Sequence, residues 1–446
     1  MAQVLTFGCK LNTYETEIIK QKASKAELGD DVFILNTCSV TLEAEKDAIK
    51  KIRKIKKENP DAKILVTGCG AQVNSEKFAK MEEVNFVFGN KEKLEDEAYN
   101  VIQRGKSFIQ KTDLQSEENE RHEDKIFFKE RGGAVDFNEK VMVNDIMSIK
   151  ETASHMVVTD FENHTRAFVQ IQNGCNHRCT FCIIPFARGN SRSVPFGKLF
   201  TEINTLVENG YKEIVLTGVD ITDYGKDLPG ELTLGKMSKR LLKLIPNLKR
   251  LRFSSIDVAE IDRDIYELIA NEPRFMPHFH ISLQSGDDLI LKRMKRRHAR
   301  GDVLNFVKQA KALREEVTFG ADIISGFPTE TEENFLNSKN LIEEAELSFC
   351  HIFSFSPHTG TPASKMPQVA KEVIKARTNL LIAAGKNELN KTLQKMIGKT
   401  YEVLFESENM GRCENFTSGI FANKATKGEM LTLKVIGFEA EKLIFS

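Results

Sequence analysis

The chain has 446 residues, too many for a single compact core, and a chain of this length is expected to fold into about three domains. Lysine plus arginine and aspartate plus glutamate both number 64, so the overall charge does not indicate a nucleic-acid-binding or membrane-binding surface. No run of about 18 apolar residues and no signal-peptide pattern is present, so we expect a cytoplasmic protein with reduced thiols and no membrane contact.

The N-terminal region carries a cysteine at the end of each of three short apolar runs. Cys9 follows VLTFG, Cys38 follows FILNT and Cys69 follows ILVTG, with a helical pattern after each run and a predicted helix over 41–58. Strands that alternate with helices predict a doubly wound parallel sheet, whose carboxyl strand ends line a ligand crevice. We therefore expect these cysteines to meet as three thiolate ligands of a metal centre with one open position. The alternative is three small buried apolar side chains.

The first domain is predicted over 1–110, with a fourth strand at 84–88. From 111 to 163 the sequence turns polar and charged, as in DLQSEENERHEDK, and shows no sustained periodicity. This composition predicts a linker or insertion that is partly disordered or packed over the surface. It suggests no function.

The segment CNHRCTFC is the most informative stretch of the sequence. Cys175, Cys179 and Cys182 supply three thiolates at short spacings, which can converge on one inorganic centre. A 4Fe-4S cluster held by three cysteines leaves one iron without a protein ligand, and that iron can bind a small chelating molecule. Two alternatives are a zinc site, with His177 as the nearby fourth ligand, and a reactive or chance group of cysteines.

Strand and helix patterns alternate again after this segment. Repeated β/α units of this kind predict either a barrel or an open sheet. A helical pattern over 373–396 then leads to short strands separated by glycines, which predict a small β-barrel over 400–446. The predicted strands are 167–172, 213–217, 250–254, 278–283, 317–323, 348–355, 400–405, 430–435 and 442–445. The predicted domains are 1–110, the linker 111–163, 164–372, and 373–446 as a helical connection with the barrel.

The two cysteine sets together resemble the methylthiotransferase family of radical S-adenosylmethionine (SAM) enzymes, over the whole chain. TFGCKLNTYET, NTCSVT and TGCGAQ are similar to the family's N-terminal domain, and TRAFVQIQNGCNHRCTFCIIPFARGNSRS is similar to its radical SAM loop. The C-terminal region is similar to the TRAM module, a small β-barrel that often binds RNA. GCKLN and NTCSVT resemble the subgroup that modifies N6-threonylcarbamoyladenosine in tRNA. The other subgroups act on isopentenyladenosine or on a ribosomal-protein aspartate.

This resemblance implies a partial (β/α)6 barrel and two 4Fe-4S clusters, one on each cysteine set. SAM bound at the Cys175, Cys179 and Cys182 cluster is cleaved to a 5′-deoxyadenosyl radical, whose hydrogen abstraction activates carbon 2 of the adenine next to the anticodon. The cluster on Cys9, Cys38 and Cys69 holds a sulfur, which a second SAM methylates before it is transferred. The implied partners are tRNA, an electron donor such as flavodoxin or ferredoxin, and a sulfur donor, and a monomer is expected.

The resemblance also implies a set of SAM-binding positions at the carboxyl ends of the barrel strands. Gly218 lets backbone approach a ligand, and Asp220 is expected to pair with the SAM ammonium group in place of the family's GGE motif. Arg188 and Arg192 are expected to line the active site. The alternative is that each residue is an ordinary turn or capping residue. The predicted SAM-binding residues are Phe181, Thr217, Gly218, Asp220, Ser254 and Gln284.

Two basic segments are candidates for phosphate contacts despite the balanced net charge. One is the predicted helix 41–58, and the other is the denser run KRMKRRHAR at 292–300. A solvated helix face is the alternative, and it is less favoured for the second segment. The alternative from another class of protein is a non-catalytic RNA-binding protein with zinc at its cysteines.

Overall fold

The computed structural model describes residues 1–104, 140–149, 158, 161 and 164–446. The chain divides into two compact units. The first consists of Met1–Val158, Asn173–Asn176 and Ile183–Arg192, and the second of Thr159–Gln172, His177–Cys182 and Ser193–Ser446. Most of the predicted linker 111–163 lies outside the described residues.

A five-stranded parallel sheet forms the centre of the first unit, and its strands stand side by side in chain order. The strands are β1 (Gln3–Thr6), β2 (Val32–Thr37), β3 (Lys63–Gly68), β4 (Phe86–Phe88) and β5 (Val141–Met142). The helices are α1 (Lys10–Lys25), α2 (Leu42–Glu58), α3 (Cys69–Val73), α4 (Ser75–Ala79), α5 (Asp96–Arg104) and α6 (Ile184–Arg188).

Different helices cover the two faces of this sheet, because successive side chains of a strand point to opposite faces. Leu35 of β2 packs in a buried cluster with Ile52 of α2. Its neighbour Ile34 packs on the other face with Ile19 of α1 and Tyr99 of α5. Helices on both faces confirm the predicted doubly wound α/β architecture.

The predicted helix over 41–58 is confirmed by α2. Thr41 caps its amino end, with the side-chain oxygen accepting a hydrogen bond from the Ala44 N–H at 3.2 Å. The apolar residues Ala48, Ile52 and Ile55 are buried on one side, as an amphipathic helix on a sheet requires.

Strand β5 corrects the prediction for 111–163. It pairs in parallel with β4, in the register Val87 to Val141 and Phe88 to Met142. This part of the segment is therefore a sheet strand and not a linker. The run of three apolar residues from Val141 to Val143, between polar residues, is too short a pattern for recognition in the sequence, and the register with β4 defines the strand.

Parallel strands flanked by helices make up most of the second unit. One sheet has the order β10-β9-β6 and another the order β11-β12-β13-β14. Two short strands, β7 (Gln172–Asn173) and β8 (Arg192–Ser193), each have one residue in either unit. The other strands are β6 (Arg166–Gln170), β9 (Glu213–Thr217), β10 (Arg250–Phe253), β11 (Ser255–Ile256), β12 (His278–Gln284), β13 (Thr318–Ser325) and β14 (Leu347–Ser354). The helices are α7 (Phe196–Glu208), α8 (Leu234–Leu244), α9 (Arg263–Asn271), α10 (Asp288–Arg293), α11 (Arg300–Leu313), α12 (Glu332–Glu344) and α13 (Lys371–Met396).

Ser254 joins the two sheets, because it alone separates β10 from β11. β10 pairs with β9, whereas β11 pairs with β12. The extended run 250–256 therefore serves as one bent strand between the sheets, which gives six parallel strands in sequence. This arrangement confirms the predicted partial (β/α)6 barrel, and all six predicted strands of this region agree with observed ones to within a few residues.

The C-terminal strands form a closed barrel of the order β15-β16-β17-β19-β18. Val403, Val435 and Phe445 are fully or almost fully buried in its core, which also includes Leu393 of α13. The barrel confirms the predicted small β-barrel and the helix before it. Its strands are β15 (Thr400–Phe405), β16 (Met410–Arg412), β17 (Ser418–Phe421), β18 (Met430–Glu439) and β19 (Lys442–Phe445). Among the described residues, no helix has the length and apolar character needed to cross a membrane.

Candidate metal centres and cofactor site

The three N-terminal cysteines lie at the carboxyl ends of adjacent parallel strands, as the spacing predicts. Cys9 precedes α1, Cys38 follows β2 directly, and Cys69 begins α3 directly after β3. Cys38 and Cys69 are buried, whereas Cys9 is exposed. Since the strands run in parallel, all three cysteines stand at the same edge of the sheet.

The Cys9 and Cys38 loops approach each other closely. Gly8 has a φ of +94°, and a Cβ at this position would lie 2.6 Å from both Cβ and Sγ of Cys38, so only glycine fits here. Burial, together with the neighbouring Cys69 and Cys9 thiols, raises the pKa of the Cys38 thiol to about 12. A metal that binds here would therefore displace a proton from Cys38.

Arg188 is the residue that links these cysteines to a buried charged network. It ends α6 and is 2 % exposed. Its Nε donates to the Cys69 Sγ at 3.1 Å, and its Nη1 and Nη2 donate to the two Glu15 carboxylate oxygens at 2.8 and 3.0 Å. The sequence suggested that Arg188 lines an active site, but it did not indicate Cys69 as its partner.

Glu15 and Lys93 complete this network. The Lys93 Nζ donates to Glu15 at 2.7 Å and to the Asn90 side chain at 2.7 Å, and both charged residues are almost fully buried. Burial alone would raise the pKa of Glu15, but Arg188 and Lys93 outweigh it and lower that pKa to about 2. Glu15 is therefore an ionised carboxylate between two cations.

Arg192 corrects the expectation that it lines an active site. Its Nη1 donates to the Asn190 carbonyl at 2.7 Å and its Nη2 to the Arg188 carbonyl at 2.9 Å. The side chain is 5 % exposed and satisfies main-chain acceptors of its own loop. Arg192 therefore holds the backbone around Arg188.

The second set of cysteines is distributed over both units: Cys175 belongs to the first, and Cys179 and Cys182 belong to the second. Within the first unit, the Cys175 N–H donates to the Gly189 carbonyl at 3.0 Å. Within the second, the Cys182 N–H donates to the Cys179 carbonyl at 3.1 Å. All three cysteines are partly exposed, as expected of thiols that bind an exchangeable ligand.

The backbone between Cys179 and Cys182 is fixed by main-chain contacts. The Thr180 N–H donates to the Met294 carbonyl at 3.1 Å, and its hydroxyl donates to the Arg293 carbonyl at 2.8 Å. Arg296 lies beside this turn, with its Nη1 3.8 Å from the Cys179 Sγ. A positive charge thus lies next to a candidate thiolate.

The Asp220 side chain already has protein partners. Its Oδ2 lies 3.3 Å from the His177 Nε2, and its Oδ1 accepts from the Thr222 hydroxyl at 2.9 Å. Burial raises the pKa of Asp220, and His177 opposes this effect. His177, the candidate fourth zinc ligand, therefore pairs with the carboxylate that the sequence assigned to the SAM ammonium group.

Gly218 is required by a close approach of protein backbone. A Cβ at this position would lie 2.7 Å from the Gln172 carbonyl oxygen. The Gln172 side-chain oxygen accepts from the N–H groups of Val219 and Asp220 at 3.1 and 2.9 Å. Thr217, at the end of β9, accepts through its carbonyl from the Ile171 N–H at 2.9 Å. This turn after β9 is therefore rigidly positioned.

The other predicted SAM-binding residues also lie at the carboxyl ends of strands or in the cysteine segment. Ser254 lies between β10 and β11, and Gln284 ends β12 with a φ of +69°, an uncommon conformation that is often found at functional sites. The Phe181 ring packs edge-on against Phe327 at 6.3 Å between centroids. It is partly buried, so it is part of an apolar cluster as well as a candidate contact for adenine.

His280 of β12 and Asp322 of β13 form a polar cluster with His351 of β14. The sequence places the first two in strand-end segments similar to the family's SAM or substrate positions, but it did not single out His351. The His280 Nε2 and the His351 Nδ1 lie 2.9 and 3.1 Å from the same Oδ1 of Asp322. Both imidazoles lower the pKa of Asp322 well below its usual range and outweigh the opposing effect of burial. The three residues lie on the strand faces opposite to buried Phe279 and Ile323, and the His351 side chain is 61 % exposed.

In the basic segment 292–300, three arginines have protein partners, whereas Lys292 and Lys295 are exposed, so phosphate binding by this segment stays a prediction. Arg296 donates to Asp257 at 2.9 Å, and Arg297 lies 2.6 Å from Glu260. Arg300 donates to the Gly286 and Asn337 carbonyls at 3.0 and 2.7 Å and to Glu344 at 2.6 Å. These arginines therefore serve the packing of the second unit. By contrast, most lysines of α2 are exposed.

Comparisons with known proteins agree with this architecture. A family model of the radical SAM superfamily matches residues 169–342, and one described as uncharacterized protein family UPF0004 matches residues 1–89. Among solved structures, the radical SAM methyltransferase TsrM from Kitasatospora setae superimposes with a TM-score of 0.55 at 14 % identity, covering 81 % of this chain and 75 % of that one. The fold and the cysteine segment thus define a radical SAM protein.

Closely similar sequences specify the family within this class. The threonylcarbamoyladenosine tRNA methylthiotransferase MtaB of Rickettsia prowazekii is 48 % identical over 437 residues, which cover 98 % of this chain and 95 % of that protein. The MtaB of Aquifex aeolicus is 33 % identical and covers 92 % and 94 %. The chain belongs to the methylthiotransferase family of radical SAM enzymes.

Proposed function

We propose that this enzyme adds a methylthio group to carbon 2 of N6-threonylcarbamoyladenosine next to the anticodon of tRNA. The observation that carries this proposal is the 48 % identity to an MtaB protein over almost the whole of both chains. Two separate sets of three cysteines, one at the strand ends of the first unit and one in the CNHRCTFC segment, agree with the two clusters that such chemistry requires.

The cofactors are two 4Fe-4S clusters and S-adenosyl-L-methionine. Thiol sulfurs with nearby N–H donors are the surroundings that such clusters need, and the Cys69 sulfur has the Arg188 Nε at 3.1 Å and the Asn90 Nδ2 at 3.7 Å. We assign one cluster to Cys9, Cys38 and Cys69 and the other to Cys175, Cys179 and Cys182. Bound there, the clusters and SAM supply the radical and sulfur chemistry that amino-acid side chains cannot perform.

The protein's own residues position these cofactors and the substrate. We assign SAM to the strand ends formed by Thr217, Gly218, Ser254 and Gln284, with Phe181 against the adenine. Asp220 is held by His177 and Thr222, so it would accept the SAM ammonium group only through an oxygen shared with these partners. Gln172 accepts hydrogen bonds from the Val219 and Asp220 N–H groups of this region, and such contacts limit the entropic cost of ordering the backbone on binding.

The cluster of His280, Asp322 and His351 supports N6-threonylcarbamoyladenosine over isopentenyladenosine as the substrate nucleoside. A threonylcarbamoyl group carries a carboxylate and a hydroxyl, whereas an isopentenyl group is apolar. The exposed imidazole of His351, next to an ionised carboxylate, suits a polar substituent better than an apolar one. We therefore assign these three residues to the part of the site that receives the threonylcarbamoyl group.

The remaining partners follow from this chemistry. The enzyme needs an electron donor such as flavodoxin or ferredoxin and a source of sulfur, and we expect it to act as a monomer on tRNA in the cytoplasm. The exposed lysines of α2 and the C-terminal barrel are the surfaces we assign to the tRNA.

Mass spectrometry of tRNA nucleosides from a strain that lacks this gene tests the proposal. We expect the methylthio form of N6-threonylcarbamoyladenosine to disappear and the other methylthio nucleosides to persist. Loss of the methylthio form of isopentenyladenosine would instead assign the enzyme to that substrate. Complementation with Cys38→Ala or Cys182→Ala should fail, whereas Cys350→Ala, which changes a cysteine outside both sets, should restore the nucleoside.

The metal content of anaerobically purified protein tests the cofactor assignment. We expect brown protein with about eight irons per chain, and about four in the Cys38→Ala or Cys182→Ala variants. Colourless protein containing zinc would instead support the non-catalytic RNA-binding alternative.

A further inference from the structure

We propose that Arg188 is a positioning residue for the N-terminal cluster, and that its guanidinium raises the reduction potential of that cluster through Cys69. This inference rests on the proposed function, because it requires a cluster on Cys9, Cys38 and Cys69.

The geometry directs one N–H of the guanidinium at the sulfur. The Nε lies 3.1 Å from the Cys69 Sγ, well within hydrogen-bond distance for sulfur. The other two nitrogens are committed to oxygens, with Nη1 and Nη2 on Glu15 and Nη2 also on Asn12 at 2.7 Å. The bidentate pair with Glu15 fixes the plane of the guanidinium and so fixes the direction of the Nε–H.

The network of Arg188, Glu15 and Lys93 has a charge that a negative partner can balance. Arg188 is a cation and Glu15 is an ionised carboxylate. Burial lowers the pKa of Lys93, but its Nζ donates to oxygens of Glu15, Asn90 and Asn36, as an ammonium group does, and in this form the three buried side chains carry one excess positive charge. All three are at most 2 % exposed, so water screens this charge poorly. A cluster held by thiolates gains one more negative charge when it takes up an electron, and the excess positive charge therefore favours the reduced form.

Hydrogen bonds to ligating sulfurs and nearby charge are two of the factors that set the potential of an iron–sulfur cluster. Arg188 supplies both at Cys69. Asn90 adds a weaker donor, with its Nδ2 3.7 Å from the same sulfur, and its side-chain oxygen accepts from Lys93. Arg188 therefore acts through Cys69 without binding metal itself.

The test is a redox titration followed by electron paramagnetic resonance on full-length reconstituted protein. Cys175→Ala, Cys179→Ala and Cys182→Ala are combined so that the N-terminal cluster alone is present. In this background, we expect Arg188→Gln to lower the equilibrium constant for one-electron reduction about tenfold, which corresponds to about 59 mV. Arg188→Lys keeps the charge but loses the fixed Nε–H, so its potential should shift in the same direction by a smaller amount.

Lys22→Gln is the control, because Lys22 is a buried cation of the same unit whose Nζ lies 2.7 Å from Asp96. Its midpoint potential should equal that of the parent. Iron content and the thermal transition are measured for each variant. If Arg188→Gln does not fold, the midpoint potential of Arg188→Lys tests the proposal.

Two outcomes overturn the inference in different ways. A cluster that forms in the Arg188 variants with the potential of the parent shows that Arg188 is merely structural. A background protein that binds no cluster at all overturns the assignment of two clusters, and with it this inference.

Discussion

Arg252 and Glu213 form a bidentate ion pair in the interior of the second unit. The Arg252 Nε lies 2.7 Å from one Glu213 oxygen and its Nη2 lies 3.2 Å from the other. Arg250 and Arg166 lie 3.6 and 3.9 Å from the same carboxylate. Arg250 also donates to the Glu402 carbonyl of β15 at 2.6 Å. This group of charged residues therefore contributes to the packing between the partial barrel and the C-terminal barrel.

Glu213→Gln is therefore expected to destabilise the protein by about 3–5 kcal/mol at neutral pH, because it leaves buried arginines without their carboxylate. Urea unfolding of the parent and the variant measures this difference. Glu208→Gln, an exposed change on α7, should alter the free energy of unfolding by less than about 0.5 kcal/mol.

The difference in the free energy of unfolding between the parent and Glu213→Gln should depend on pH. The three arginines outweigh burial and lower the pKa of Glu213 from 4.5 to about 2. A lowered pKa in the folded state stabilises the protein above the unfolded pKa, and this contribution is lost as the pH falls through the folded pKa. The difference between parent and Glu213→Gln should therefore be constant above about pH 5 and shrink towards pH 2. A difference that grows on acidification would contradict this assignment.

Gly68→Ala should impair the N-terminal metal centre. Gly68 has a φ of +94°, and a Cβ there would lie 2.6 Å from both the Thr37 nitrogen and the Asn36 Oδ1. The change must displace the backbone directly before Cys69, so the iron content should fall from about eight towards about four per chain. Gly197→Ala is the control, since space at Gly197 is open, and it should leave the iron content unchanged. Full iron in Gly68→Ala would show that the strand end is more tolerant than its geometry indicates.

His351→Phe should weaken turnover of tRNA that carries N6-threonylcarbamoyladenosine. Loss of a hydrogen bond from His351 to a charged group of the substrate costs about 1.5–3 kcal/mol, which corresponds to a decrease in kcat/KM of about 10- to 150-fold. The thermal transition should be nearly unchanged, because the side chain is largely exposed. Cleavage of SAM to 5′-deoxyadenosine without methylthio product should continue. Unchanged turnover would remove His351 from the substrate site.

Arg300→Gln should lower stability without affecting tRNA affinity. Arg300 donates to the carbonyls of Gly286 and Asn337 and to Glu344, so the variant should lose about 1–3 kcal/mol in the free energy of unfolding. Its dissociation constant for tRNA at fixed salt should stay within about twofold. Lys292→Gln, an exposed change in the same segment, is measured beside it. A tenfold loss of tRNA affinity in Arg300→Gln at unchanged stability would instead assign Arg300 to a tRNA-binding surface.

The sequence by itself determined the architecture and the two sets of cysteines. Apolar alternation, helix periodicity and turn residues act over a few neighbours, so the runs that end at Cys9, Cys38 and Cys69 already predict adjacent parallel strand ends. The positions of the six barrel strands and the small C-terminal barrel follow from the same local patterns, whereas the choice of a partial barrel over an open sheet came from the resemblance to the family.

Only the tertiary structure decided which charged residues contact each other. Arg188 and Cys69 are 119 residues apart, and nothing in either local sequence indicates the contact between them. Likewise, the arginines of 292–300 read as a basic surface until their carboxylate partners from other elements are known. Strand β5 is visible only through its register with β4. Ion pairs and sheet register depend on distance in space, whereas a sequence pattern reports only what each segment does alone.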